Sequence, residues 1–331
     1  MLWGHPETSG MESIDYFLSS DVFHVAHDSH FGPERSQDRF GEQLVRLETL
    51  GLNFHRPVMT KFYSYIERLV SNGKITCART VSRTQDACIH DFYESSLVHR
   101  GLDLVNFLST HSKDEGMKRL IDLKFSGGKS IILCPQHLAK FHPTFDSAIK
   151  ALLTELSNSV LVLIEPPTRV VWKNTLIDRW NHSLGERMLL EQIIWLGRLK
   201  SEEYLYMLLV GDIMLDPYPF GGGVTILESL AVSTPVLTLP GLQTVPALAD
   251  GMVTTTAAGS EQGLEHESDL SLMTVDNVYA LVESAREIVR RGAEYREIVA
   301  RTAWRIFDDD EAAESWGAFF VRAHTMMKIQ P

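Results

Sequence analysis

Short apolar runs alternate with amphipathic stretches between about residues 130 and 240. Each run is continuous, as in parallel strands buried on both faces, and the stretches between them repeat apolar residues at helical spacing. This pattern predicts an α/β domain with a doubly wound parallel sheet. The predicted strands are Ile131–Cys134, Val160–Ile164, Ile193–Leu196, Ile213–Leu215 and Val236–Leu239, and the predicted helices cover 143–157, 172–185, 201–210 and 224–233.

The first 120 residues have a less regular pattern, with too few strands for a complete sheet. We therefore expect a partial N-terminal α/β lobe over 1–125 and a complete C-terminal lobe over 126–331, which ends in an amphipathic helix over 309–327. Within the first lobe the pattern predicts strands at Ile14–Ser19 and Gln43–Leu47, helices over 58–71 and 91–110, and a polar surface loop over 24–40.

Composition excludes several classes of protein. The chain has 331 residues, of which 44% are hydrophobic and 22% charged, as in ordinary globular proteins. A formal charge of -12 leaves no basic stripe for a nucleic-acid backbone. No apolar run reaches the roughly 18 residues that a membrane span needs. The three cysteines are odd in number and lack metal-ligand spacing, so we expect reduced thiols and a cytoplasmic protein.

A glycine-rich turn follows the fourth predicted strand. Between Leu215 and the next helix lie an acid, two prolines and three consecutive glycines. Free N–H groups at a helix N-terminus favour a phosphate or diphosphate. Glu228 lies three residues after Thr225, and two interpretations of this spacing stay open. The carboxylate could bind the ribose of a nucleotide whose phosphates lie on the turn, or it could complete a capping box with Thr225.

Gln136 and Lys140 follow the first predicted strand. The carboxyl ends of neighbouring parallel strands are where ligands bind in doubly wound sheets, so we expect both side chains near the glycine turn. An acidic protein that binds a nucleotide needs a local cation, and Lys140 is a candidate. The alternative is a solvated lysine that precedes a helix.

Two other patterns indicate ordinary structure. The segment Gly128–Ser130 lacks the earlier glycine of a phosphate-binding loop, because Leu123 stands at that position, and a strand follows instead of a helix. Three histidines recur at every third position over 24–30 without a frame of acidic residues. We interpret them as loop residues and predict no metal site there.

Four segments resemble the O-GlcNAc transferase family of glycosyltransferases, which have the two-lobed GT-B fold. The resemblance is to bacterial and protist-type members, in which tetratricopeptide repeats often precede the transferase. The fourth segment is the most specific, with Gly-Gly-Gly-Val-Thr followed by Ser-Thr-Pro-Val-Leu-Thr-Leu-Pro-Gly, whereas residues 55–125 carry almost no match. The segments are Trp3–Gly10 with Ile14–Asp21, Glu42–Leu47, Cys134–Asp146 and Leu215–Gly241.

The resemblance implies inverting, metal-independent transfer of a sugar from a UDP-sugar, expected to be UDP-GlcNAc, to Ser or Thr hydroxyls of an acceptor protein. It implies no cofactor besides the donor, and it gives Lys140 the further role of stabilising the leaving UDP. The implied donor-site residues are Gln136 and Lys140 for uridine and diphosphate, Gly222, Gly223, Val224 and Thr225 for the diphosphate, Glu228 for the ribose and Tyr204 near the base.

The sequence also departs from the family's pattern. Gly223 and Tyr204 both stand where the animal enzymes have His, and Met207 stands where they have Arg. The family's N-terminal lobe begins upstream of the first matching segment and includes the histidine proposed as base, for which we find no equivalent in this sequence; His5 is the remaining candidate base. We therefore expect UDP binding with slow or absent transfer. The alternatives are a non-catalytic UDP-sugar-binding or interaction protein and, less favoured, another nucleotide-sugar enzyme such as an epimerase.

Overall fold

The structure is a computed structural model that describes residues 8–57, 59–72, 97–166, 168, 170–239, 241, 244–257 and 273–327. Its strands are β1 Tyr16–Ser20, β2 Gln43–Leu47, β3 Ser130–Leu133, β4 Ser159–Ile164, β5 Ile193–Leu196, β6 Ile213–Leu215 and β7 Val236–Leu237. Its α-helices are α1 Val25–Phe31, α2 Thr60–Ser71, α3 Leu97–His111, α4 Glu115–Phe125, α5 Pro143–Glu155, α6 Val170–Ser183, α7 Glu186–Gln192, α8 Ser201–Val210, α9 Val224–Ala231, α10 Thr244–Ala257, α11 Val278–Arg290, α12 Gly292–Thr302 and α13 Asp310–Met327.

Five parallel strands form the main sheet, in the order β5-β4-β3-β6-β7. Their side chains are almost entirely buried, which explains the continuous apolar runs and confirms the predicted doubly wound α/β class. The chain order reverses between β3 and β6, where Leu133 pairs with Met214. Ligands of doubly wound sheets bind at such a reversal, beyond the carboxyl ends of the strands.

Two element boundaries differ from the expected ones for local reasons. The helix expected over 172–185 is α6, which ends at Ser183 because Gly185 adopts a φ of 94° and its N–H bonds the Trp180 carbonyl, as at many helix ends; α7, which follows it, was not expected. Strand β7 is shorter than expected, and Thr238 instead forms an isolated bridge with Thr274.

The first part of the described chain contains the parallel pair β1 and β2. The surface loop expected over 24–40 is wrong, because this segment forms α1 and a 3-10 helix over Pro33–Arg39. His24 is fully buried, and its two ring nitrogens contact Ser19 Oγ at 2.8 Å and Arg39 Nη2 at 2.7 Å. Burial lowers the pKa of His24 to about 3. This histidine is therefore a neutral structural group.

Helices α2 and α3 pack against each other, and α3 contacts α8. The Phe107 ring lies 5.3 Å from the Phe62 ring and 5.3 Å from the Tyr206 ring of α8. Glu203, in the first turn of α8, accepts a hydrogen bond from Ser112 at 2.7 Å. Phe107 and Ser112 thus contact the helix that carries Tyr204. The proposed boundary between residues 125 and 126 stays a prediction. Over the described ranges no helix is long and apolar enough to cross a membrane.

Candidate functional site

The structure brings Gln136, Lys140 and the glycine turn together at the reversal point of the sheet. Gln136 is buried, and its Nε2 donates to Thr225 Oγ1 at 2.5 Å. Lys140 Nζ donates to Gln136 Oε1 and to the Gly221 carbonyl, both at 2.9 Å. Burial lowers the pKa of Lys140, while the Asp216 charge raises it. The Lys140 ammonium therefore lies beside the glycine turn, where we expected the cation of an anion-binding site.

The loop that carries Lys140 is held from behind by an ion pair between the half-buried Arg179 and the buried Asp146. Arg179 donates through Nη2 to the Phe141 carbonyl at 2.8 Å and through Nε to Asp146 Oδ2 at 2.8 Å. Trp180 Nε1 also donates to Asp146, at 2.9 Å. Asp146 thus orients the arginine that fixes the backbone next to Lys140.

We predict that Asp146→Ala lowers the free energy of unfolding by about 2 kcal/mol, since it leaves the buried Trp180 N–H and the half-buried Arg179 guanidinium without their acceptor. Urea denaturation measures this change. Asp178→Ala is the matched control, because Asp178 is an exposed acid on the same helix as Arg179, and it should change stability by less than about 0.5 kcal/mol. Equal effects of the two substitutions would contradict this role.

The glycine turn is fixed by Asp216, which comes directly after β6. Its Oδ1 accepts the Gly222 N–H at 2.6 Å and its Oδ2 accepts the Thr238 hydroxyl at 2.9 Å. Burial raises the pKa of the Asp216 carboxyl to about 7, against the lowering effect of these bonds and of the Lys140 charge. Sequence reasoning gave Asp216 no specific role, although an acid directly after a fully buried strand was a visible indication of one.

Helix α9 begins at Val224, with Gly223 as its N-cap residue and no side-chain cap. Thr225 therefore lies inside the first turn, and its hydroxyl accepts from Gln136. The capping-box interpretation of Thr225 and Glu228 is wrong, because Thr225 does not occupy the cap position. The first N–H groups of this helix have no acceptor within the helix and carry its partial positive charge.

A cavity of about 730 Å³ lies beside the same helix and is lined by Tyr204, Lys61 and Glu228, among others. The buried Tyr204 hydroxyl has no hydrogen-bond partner within the described ranges. Burial raises the pKa of Glu228, and burial together with the Glu228 charge raises the pKa of Tyr204. Two polar side chains therefore border the cavity in an environment that disfavours isolated charge, which suits a ligand rich in hydroxyl and amide groups.

The described residues do not include the candidate base His5. In the described part of the chain, no group of three or more His, Cys, Asp or Glu side chains could hold a metal ion.

No family model matches the chain, and no curated protein matches it. Several solved structures do match the chain. A mutant of the Thermobaculum terrenum O-GlcNAc transferase is 17% identical with a TM-score of 0.60, over 97% of this chain and 46% of that one. Sucrose-phosphate synthase from Thermosynechococcus elongatus is 13% identical with a TM-score of 0.47, over 94% and 59%. UDP-GlcNAc 2-epimerase from Neisseria meningitidis is 11% identical with a TM-score of 0.37, over 80% and 58%.

The last two TM-scores are too low to support an argument. The first structure covers nearly all of this chain, while this chain spans less than half of that structure. At such low identity the likeness shows the fold alone. Together with the five-stranded parallel sheet and its covering helices, it leads to one conclusion: this chain has the α/β fold of the GT-B glycosyltransferases.

Proposed function

We propose that this protein is a glycosyltransferase that uses a UDP-sugar as donor. The observation that carries the proposal is the meeting of the Lys140 ammonium and a helix N-terminus beside a cavity bordered by Tyr204 and Glu228. The ammonium and the helix N-terminus could together bind a diphosphate. The cavity could hold a nucleoside, which has hydroxyl and amide groups.

The diphosphate would bind at the start of α9. The backbone N–H groups of Gly222, Gly223 and Val224 and the hydroxyl of Thr225 would share its charge with Lys140. In the structure the Lys140 and Thr225 side chains are both bonded to Gln136, so Gln136 would exchange these bonds for contacts with the nucleotide. Preorganised donors of this kind stabilise a leaving diphosphate as charge develops on it. The proposed reaction includes neither a metal nor a further cofactor, in keeping with the family resemblance.

The nucleoside would lie in the cavity, with Glu228 accepting hydrogen bonds from the ribose and Tyr204 near the base. The position of Glu228 one turn after Thr225 on α9, at the edge of the cavity, supports this placement. It also gives the buried Tyr204 hydroxyl a polar ligand nearby.

The more specific proposal is inverting transfer of GlcNAc to Ser or Thr hydroxyls of an acceptor protein, with His5 as candidate base. Its support is the resemblance of the four segments described above. The test follows transfer of labelled sugar from UDP-GlcNAc to a mixed protein lysate, with UDP release measured in parallel. Transfer would support the proposal. UDP binding with neither transfer nor UDP release would favour a non-catalytic binder, and absence of UDP binding would refute the donor site itself.

We predict that Glu228→Gln weakens UDP binding about tenfold, because a charge-assisted hydrogen bond to the ribose becomes a neutral one. The wild type should also prefer UDP over 2′-deoxy-UDP, and the variant should lose most of that preference. Titration calorimetry with both nucleotides measures the two effects. Stability should hold or rise above neutral pH, since the burial that raises the Glu228 pKa disfavours the ionised form that the substitution removes.

Glu202→Gln is the control for this experiment. Glu202 borders the same cavity, but its carboxylate is bonded to Lys61 Nζ at 2.5 Å. Its substitution should leave the preference for UDP over 2′-deoxy-UDP unchanged. A loss of that preference in both variants, or in neither, would remove Glu228 from the ribose site.

A further inference from the structure

An exposed aromatic ring stands beside the proposed diphosphate site. Phe220 immediately precedes the three glycines of the turn, and 46% of its surface is exposed. Single exposed apolar side chains are common and need no explanation by themselves. The position of this one is specific, because Lys140 Nζ lies 5.1 Å from the centroid of the Phe220 ring.

The position of the Phe220 ring is tied to the residues that would hold the diphosphate. Lys140 bonds the Gly221 carbonyl, which belongs to the residue directly after Phe220, while its ammonium faces the Phe220 ring. Across the turn, Gly222 is bonded to the buried Asp216. The ring therefore stands on a backbone segment that is held at both sides, and about half of its surface remains free to contact a ligand.

A sugar attached to a diphosphate offers a suitable partner for this free surface. One face of a pyranose ring consists largely of C–H groups, and its burial against an aromatic face removes apolar surface from water. The cavity that contains Glu228 and Tyr204 accounts for the nucleoside end of the donor, and Phe220 does not line it. Phe220 is thus available to the other end of the same ligand.

We propose that Phe220 is a donor-sugar contact, and that its ring packs against the pyranose of the UDP-sugar. The inference rests on the proposed donor site. It adds to that site a contact with the sugar, the part of the donor that UDP lacks. Lys140 has two functions in this arrangement, since it binds the diphosphate and orients the ring that receives the sugar.

The test compares affinities for UDP, UDP-glucose and UDP-GlcNAc by titration calorimetry. Phe220→Ala should weaken binding of both UDP-sugars by about five- to thirtyfold, which corresponds to losing part of the burial of one aromatic side chain, and should change UDP affinity by less than about twofold. Phe220→Tyr keeps the ring and should retain the preference of the wild type for each UDP-sugar. Because Phe220 is half exposed, melting temperatures should stay close to that of the wild type.

Phe31→Ala is the matched control. Phe31 lies on α1 and is 44% exposed, and its truncation should leave the affinities for all three ligands unchanged. Equal weakening of UDP and UDP-sugars by Phe220→Ala would mean that the ring only orients Lys140, and would overturn the inference. If the wild type binds none of the three ligands, the proposed function fails first. UDP binding by the wild type with no sugar-specific loss in Phe220→Ala refutes the Phe220 contact alone.

Discussion

Lys140→Ala is expected to weaken UDP binding by about ten- to a hundredfold, since a charge-assisted hydrogen bond to a phosphate is worth about 1.5–3 kcal/mol. In the structure the ammonium donates to the Gln136 side chain and to the Gly221 carbonyl, both neutral acceptors. An entering diphosphate would offer it an anionic acceptor within the same cluster. Calorimetric titration of the wild type and the variant with UDP measures the difference.

Lys129→Ala provides the control for this prediction. Lys129 immediately precedes β3, whereas Lys140 follows its carboxyl end, so the two lysines stand at opposite edges of the sheet. The Lys129 variant should bind UDP as the wild type does. Equal affinities of the wild type and the Lys140 variant would remove Lys140 from the donor site. Weaker UDP binding by the Lys129 variant would instead indicate that the segment Gly128–Ser130 contacts the phosphates.

The pH dependence of binding gives a second readout for Lys140. Burial lowers the pKa of its ammonium, so the group loses its proton at a lower pH than a solvated lysine does. Only the protonated form attracts a diphosphate. UDP affinity of the wild type should therefore fall as the pH rises toward the lowered pKa, and Lys140→Ala should lack this component of the decrease. An identical decrease in both proteins would assign it to another group.

Much of the main sheet could be predicted because its strands are buried on both faces. That environment selects continuous apolar runs such as the one in β4, and the helices between them contain apolar residues at helical spacing. The segment 24–40 could not be predicted in this way. Its polar residues are typical of a loop, yet His24 is buried and is held by Ser19, five residues earlier, and by Arg39, fifteen residues later. Bonds between residues distant in sequence leave no periodic pattern.

The grouping of Gln136, Lys140 and the glycine turn could be predicted because parallel strands bring their carboxyl ends to one edge of the sheet. The role of Thr225 could not be predicted from the sequence. The sequence permitted a capping box, but Gly223 is the N-cap residue, and the Thr225 hydroxyl instead accepts a hydrogen bond from Gln136, which follows another strand. Likewise, residues 55–125 carry almost no recognisable motif, although Lys61 from this region borders the nucleoside cavity.

Gly222→Ala should disrupt the site from its centre. A Cβ at this position would lie 2.7 Å from Gln136 Nε2 and 2.8 Å from Ile226 Cγ1, closer than real Cβ contacts allow. The buried turn cannot move outward freely, because the Gly222 N–H is bonded to Asp216. Gln136 must then shift, and it holds both Lys140 and Thr225. We expect a loss of about 1–3 kcal/mol in the free energy of unfolding, as in other overpacked interiors.

The same substitution should weaken UDP binding at least as much as Lys140→Ala, because it displaces several diphosphate contacts together and not one charge alone. Gly197→Ala is the matched control, since a Cβ there meets no atom within 4 Å and Gly197 also follows a strand of the same sheet. It should leave stability and UDP affinity near those of the wild type. Denaturant unfolding and UDP titration of the two variants separate the outcomes. A Gly222 variant that loses stability but keeps its UDP affinity would place the diphosphate away from the turn, whereas loss of both properties ties the packing of the turn to nucleotide binding.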